Sequence, residues 1–141
     1  SKPFSIDLKV QEFGNFIALM MDPNEQQMQN LASMLVENLD QFRAPLHQKE
    51  IDKRRMSDLT TSQDKNLLKW GYPYVFNDFR FHMTLTEKIP CRSDQELMVN
   101  VASLYFSENL DHTTKVSSIS LFFQESSESD FLQIQQFPFE A

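Results

Sequence analysis

Phe79-Arg80-Phe81-His82-Met83-Thr84-Leu85-Thr86 alternates apolar and polar side chains without a break. Successive side chains of a β-strand point to opposite faces. A strand here therefore presents Phe79, Phe81, Met83 and Leu85 to a core and Arg80, His82, Thr84 and Thr86 to the other side. The polar row spaces a guanidinium, an imidazole and two hydroxyls about 7 Å apart. Such a set suits an anion such as a phosphate: the imidazole moves a proton near cellular pH, and the hydroxyls orient phosphoryl oxygens.

Outward from this strand, the chain reads as alternating layers. Ser5 to Gln11 alternates as a strand, and Phe16 to Met21 is a second apolar run. Gly14-Asn15 between them signals a β-hairpin. Asp22-Pro23-Asn24-Glu25 has the spacing of a helix start, with Asp22 as cap and Pro23 in the first turn. Met28, Leu31, Leu35, Leu39 and Phe42 then give one buried stripe at steps of three and four. Ala44 to Thr60 is a polar connection with a short helix over Gln48 to Arg55. Thr61 to Trp70 is a helix with Leu67, Leu68 and Trp70 inward, stopped by Gly71 and Pro73.

Beyond the central strand, Ser93-Asp94-Gln95-Glu96 spells a capping box. It opens a helix that ends near Leu110 and whose buried face is Leu97, Val101, Leu104 and Tyr105. Val116 to Gln124 and Phe131 to Phe137 close the chain as strands around the acidic loop Glu125 to Asp130. The fold class is α+β: a largely antiparallel sheet, helices packed on one face, and the His82 face left open.

At 141 residues with 40% hydrophobic content, the chain is expected to form a single domain, 1–141, with its own core. No apolar run approaches the ~18 residues of a membrane helix, so no membrane partner is expected, and a cytoplasmic location is. Cys91 has no second cysteine and reads as a reduced thiol. The net charge of −7 makes the chain a poor general binder of nucleic acid. Positive potential must be local: Arg80, Arg43 and the run Lys53-Arg54-Arg55 are the candidates. No His/Cys/Asp/Glu cluster has metal-ligand spacing, so neither a metal nor a cofactor is expected. Gly14 and Gly71 are the only glycines, which excludes glycine-rich phosphate loops and G-x-S-x-G elbows within these residues. His47 and His112 lie in polar segments and read as solvated.

His82-Met83-Thr84 in its apolar setting resembles the His-x-Thr signature of the two-histidine (2H) phosphoesterase superfamily. Phe42-Arg43-Ala44-Pro45-Leu46, Trp70-Gly71-Tyr72-Pro73-Tyr74-Val75 and Asp78 to Thr86 together resemble the C-terminal half of a bacterial group within it, phosphonate-metabolism proteins encoded in phosphonate-utilisation operons. The resemblance implies one lobe of a bilobal fold and metal-independent chemistry on phosphodiesters, commonly cyclic ones. On it, His82 is one of two acid/base histidines and Thr84 a phosphate-orienting hydroxyl. Arg80, Thr86 and Arg43 are the candidate substrate contacts. Two histidines are needed because one deprotonates the attacking water while the other protonates the leaving oxygen.

The second motif is missing: His47 is followed by Gln48-Lys49, and His112-Thr113-Thr114 spells His-x-Thr only in a polar turn. The family's first motif is expected upstream of Ser1, with residues 1–21 facing that missing N-terminal lobe. The chain is then the C-terminal portion of a longer protein, acting on a small phosphate ester and inactive alone. The rival reading is a non-catalytic binding or assembly module, in which a homodimer covers the open sheet face.

Overall fold

The computed structural model describes residues 1–22 and 25–140. It is an α+β structure with antiparallel strand pairing. Contacts divide it into two compact units, Ser1–Asp22 with Met83–Ala141, and Pro23–His82.

In the first unit, β1 (Phe4–Ile6) pairs antiparallel with β5 (Thr114–Val116), and β2 (Leu8–Phe13) pairs with β3 (Phe16–Met21). The expected hairpin is present, though Asp7 separates its first strand into two pieces that serve different sheets. Gly14 turns the chain at φ 63, a conformation that a Cβ disfavours and tight hairpins require. The alternation then sorts the side chains: Phe4, Ile6, Leu8 and Val10 are buried, joined by Ile17, Ala18, Leu19 and Met21. β4 (His82–Thr84) completes a three-stranded sheet of order β2-β3-β4. β6 (Ser118–Phe123) and β7 (Leu132–Pro138) form a separate two-stranded sheet with a register shift between Leu121 and Phe122.

α4 (Arg92–Leu110) packs on β2 and β3. Its cap is Cys91, two residues before the expected Ser93. The face it lays on the sheet also differs from the one expected. Gln95 is buried and Val99, Ala102, Phe106 and Leu110 are half-buried, whereas Leu97, Val101, Leu104 and Tyr105 are exposed. α4 carries apolar residues around most of its circumference, so 3.6-residue periodicity offers two stripes of similar strength and cannot choose between them. Gln95 decides it locally: its Nε2 donates to the Ile89 carbonyl at 2.6 Å, a bond that requires this side to face inward.

In the second unit, α1 (Gln26–Leu39) runs into a 3-10 turn, Asp40–Phe42. Its N-cap is Glu25, without a side-chain cap bond; Pro23, expected in the first turn, lies outside the described residues. Met28 and Leu31 are buried and Leu35 is half-buried, but the expected stripe ends there, since Leu39 and Phe42 are exposed. α2 (Gln48–Arg55) and α3 (Thr61–Trp70) form where expected. Thr60 caps α3 with Gln63 in a reciprocal box, and Gly71 ends it in the left-handed conformation at φ 76. Leu67 is fully buried, while Leu68, expected inward, is exposed. Adjacent helical residues lie about 100° apart, so with Leu67 pointing straight into the core Leu68 is turned to its side.

Candidate functional site

The eight-residue strand expected over Phe79 to Thr86 is reduced to three residues, all exposed. Its ends are claimed by other hydrogen bonds. Upstream, a second 3-10 turn over Phe76–Asp78 delivers the chain to Phe79, whose N–H closes the turn on the Phe76 carbonyl. Arg80 Nη1 then donates to the Asn77 and Phe79 carbonyls at 2.9 and 2.7 Å, wrapping the guanidinium over its own backbone. Downstream, Leu85 N–H donates to the Ile17 carbonyl at 2.8 Å, and Ile17 N–H donates to Thr86 Oγ1 at 3.0 Å. Thr86 is thus an acceptor for β3, replacing a ladder carbonyl with a hydroxyl.

His82 Nδ1 lies 2.8 Å from the Arg80 carbonyl. A carbonyl can only accept, so Nδ1 is the donor in this bond. Thr84 follows two residues later on the same strand, and alternation sends both side chains to the same side.

Arg43 is engaged by residues of its own unit. Its Nε meets Asp40 Oδ1 at 2.7 Å, and Nη2 donates to the Lys69 carbonyl at 3.2 Å, neutralising the C-terminal end of α3. Its side chain lies so close over Gly71 that a Cβ there would sit 3.0 Å from Arg43 Cδ. Of the basic run, Arg55 makes a two-point contact with Asp64 at 2.6 and 2.9 Å, and Arg54 stacks over the Tyr72 ring at 4.9 Å. The aromatic group downstream of α3 is mutually packed, Trp70 against Phe76 and Tyr72 against Tyr74, both edge to face.

Three polar residues that sequence reasoning passed over converge on the segment leading to His82. Asp78 Oδ1 accepts from Gln63 Nε2 at 3.1 Å and Oδ2 from Asn66 Nδ2 at 3.3 Å. Gln63 is visible in the sequence as the fourth residue of a capping box, but nothing there shows that its amide nitrogen also reaches Asp78. Elsewhere, the Ser93 hydroxyl first, then the backbone N–H groups of Asp94 and Ser93, hold the exposed Cys91 thiol below its usual range. An open groove of about 620 Å³ in the first unit is lined by Lys9, Asp7, Ser103, Asp111, His112 and Thr113 among others, with charges of both signs. Among the described residues, no group of three or more His, Cys, Asp or Glu could hold a metal ion, and no helix is long and apolar enough to cross a membrane.

Fold and site together define an α+β protein whose edge strand carries an oriented, exposed histidine and, two residues on, a threonine. The sequence matches, over residues 1–132, the family described as "Protein of unknown function (DUF1045)", and the chain belongs to it. It is also 37% identical over 83 residues to a protein of Janthinobacterium sp. (strain Marseille) named ribose 1,5-bisphosphate phosphokinase PhnN. The aligned stretch is 59% of this chain but only 18% of that protein. No solved structure matches the chain significantly.

Proposed function

We propose that this chain supplies one His-x-Thr half-site, His82 with Thr84, for acid/base chemistry on a phosphate ester, as a single lobe does in a 2H phosphoesterase, and that it serves phosphonate metabolism. The observation that supports the reading is the bond from His82 Nδ1 to the Arg80 carbonyl, which orients the ring on an exposed strand beside Thr84. Thr84 offers a hydroxyl for a phosphoryl oxygen. Likeness to a protein named for a ribose bisphosphate substrate and called PhnN supports both the phosphate-ester class and the phosphonate setting. The kinase activity in that name has no counterpart in these residues, whose two glycines cannot form a phosphate loop. Arg80 and Thr86 are held as substrate contacts only secondarily, since both already bond the backbone.

One imidazole cannot serve both sides of an in-line displacement, so the half-site by itself is inactive or nearly so. NMR titration of the chain with inorganic phosphate and with a 2′,3′-cyclic nucleotide tests the reading. Millimolar ligand is expected to shift the His82 ring and Thr84 resonances together, with no appreciable hydrolysis. Unmoved resonances, or brisk His82-dependent turnover by the monomer, would overturn it.

A second reading is assembly through a surface other than the His82 face. Leu121, Phe122, Phe123, Leu132, Ile134 and Phe137 are all exposed on the β6–β7 sheet, an apolar surface that solvated monomers rarely present. A second copy covering that sheet predicts a dimer by sedimentation; a monomer at high concentration removes it.

A further inference from the structure

We propose that Asp78 is a positioning residue for His82: by tying the 76–80 segment to α3, it holds the Arg80 carbonyl where it fixes the His82 tautomer. The inference rests on the half-site reading only for its functional meaning; the geometry stands apart from it.

Every link lies within the second unit. Gln63 and Asn66, one turn apart on α3, each donate a side-chain N–H to a different oxygen of Asp78. A carboxylate held at both oxygens has a fixed position and plane. The grip at Gln63 is itself braced, because its Oε1 accepts from the Thr60 N–H at 3.0 Å in the α3 capping box. Asn66 Nδ2 lies within 3.4 Å of the Pro73 carbonyl as well, so the same side chain joins both ends of the loop after α3.

Asp78 closes the 3-10 turn that begins at Phe76, a non-glycine residue in the left-handed region at φ 53. A bulky side chain persists there only where its surroundings over-determine the backbone. The Asp78 clamp and the Trp70 ring against Phe76 supply that constraint.

From the turn, the path to His82 is short. α1 adds a second grip, with Gln29 Nε2 donating to the Phe79 carbonyl at 3.2 Å. The Arg80 guanidinium ties the Asn77 and Phe79 carbonyls together. The Arg80 carbonyl is left directed at His82 Nδ1. The Arg80 guanidinium therefore braces the loop, and Asp78 anchors that brace to a helix.

The test is the protonation pattern of the His82 ring, read from its two side-chain ¹⁵N resonances at a pH above its titration, without ligand. The native chain is expected to show Nδ1 protonated. Asp78→Ala should lose that preference and move toward the Nε2-protonated form of a solvated histidine, with far-ultraviolet circular dichroism and the Leu67 methyl signals kept. Asp78→Asn, which retains one acceptor, should restore most of the native pattern. Asn66→Ala, which leaves Asp78 one donor, should give an intermediate shift if Asp78→Ala fails to fold. A native pattern in Asp78→Ala or, where that variant does not fold, in Asn66→Ala overturns the proposal, as does an Nε2-protonated ring in the native chain. Phosphate titration of the same samples tests the half-site reading separately. His82 can be correctly oriented by Asp78 and bind nothing, or bind phosphate without depending on Asp78.

Discussion

Single residues in this chain answer to local geometry more than to their type. Gly71 has to accept φ 76 and the Arg43 side chain lying over it. Gly71→Ala is expected to cost about 1–2 kcal/mol in urea unfolding, the penalty of a left-handed non-glycine residue, with some of the loss arising from displacement of Arg43. An unchanged midpoint would show that the α3 terminus relaxes at no cost. Asp64 makes a pH-dependent contribution. The Arg55 guanidinium holds its carboxyl below the usual range, first through the hydrogen bond and then through charge. A depressed folded-state pKa gives stability that is present above the unfolded value of about 4 and is lost as pH falls through the lower folded value. The pair is exposed, so solvent screens it and its effect is small. Asp64→Asn should flatten the acid limb of the stability profile below about pH 4, and its effect should shrink in high salt.

Elements show where periodicity is decisive and where it is not. The β2–β3 hairpin was legible because Leu8 and Val10 alternate with Lys9 and Gln11 and Gly14-Asn15 marks the turn into an apolar run, in which Ile17 has no exposed surface. Ile17→Ala should cost roughly 2–5 kcal/mol by transfer and cavity terms. On α4 the outcome reverses expectation. Leu104→Ala, on the stripe expected to be buried, should change stability by less than about 0.5 kcal/mol, since that side chain is 78% exposed. Gln95→Leu, at the polar residue that faces inward, should cost about 1–3 kcal/mol because the Ile89 carbonyl loses its side-chain donor. Urea denaturation of the two variants side by side checks the orientation of α4. If Leu104→Ala proves the worse, the packing face is wrong.

Across the whole molecule, charge and apolar surface are unevenly distributed. Residues 23–82 carry eight Lys and Arg against eight Asp and Glu, so the entire net charge of −7 belongs to the first unit. That unit also exposes the outer stripe of α4 and the β6–β7 sheet. Acidic residues keep such a surface soluble by mutual repulsion, and salt screens that repulsion. The native chain is therefore expected to enhance anilinonaphthalene sulfonate fluorescence, more strongly at about 0.5 M than at about 0.05 M salt, a range over which the screening length shortens severalfold. Fluorescence at the level of a well-covered domain would mean that these side chains are sequestered in solution.

Local rules sufficed for the α+β class, the first hairpin, the placement of α2 and α3 and the Gly71 stop. Each follows from alternation, capping or a glycine within a few residues, where the chain's own stereochemistry restricts the choice. Tertiary structure alone decided which side of α4 is covered, that β4 lies at a sheet edge, and that Thr86 and Arg43 bond backbone groups far off in the chain. It also brought Asp78 together with Gln63 and Asn66. Those outcomes depend on which distant donor or acceptor comes within about 3 Å, and hydrogen-bond partners so far apart in the chain leave no periodic trace along it.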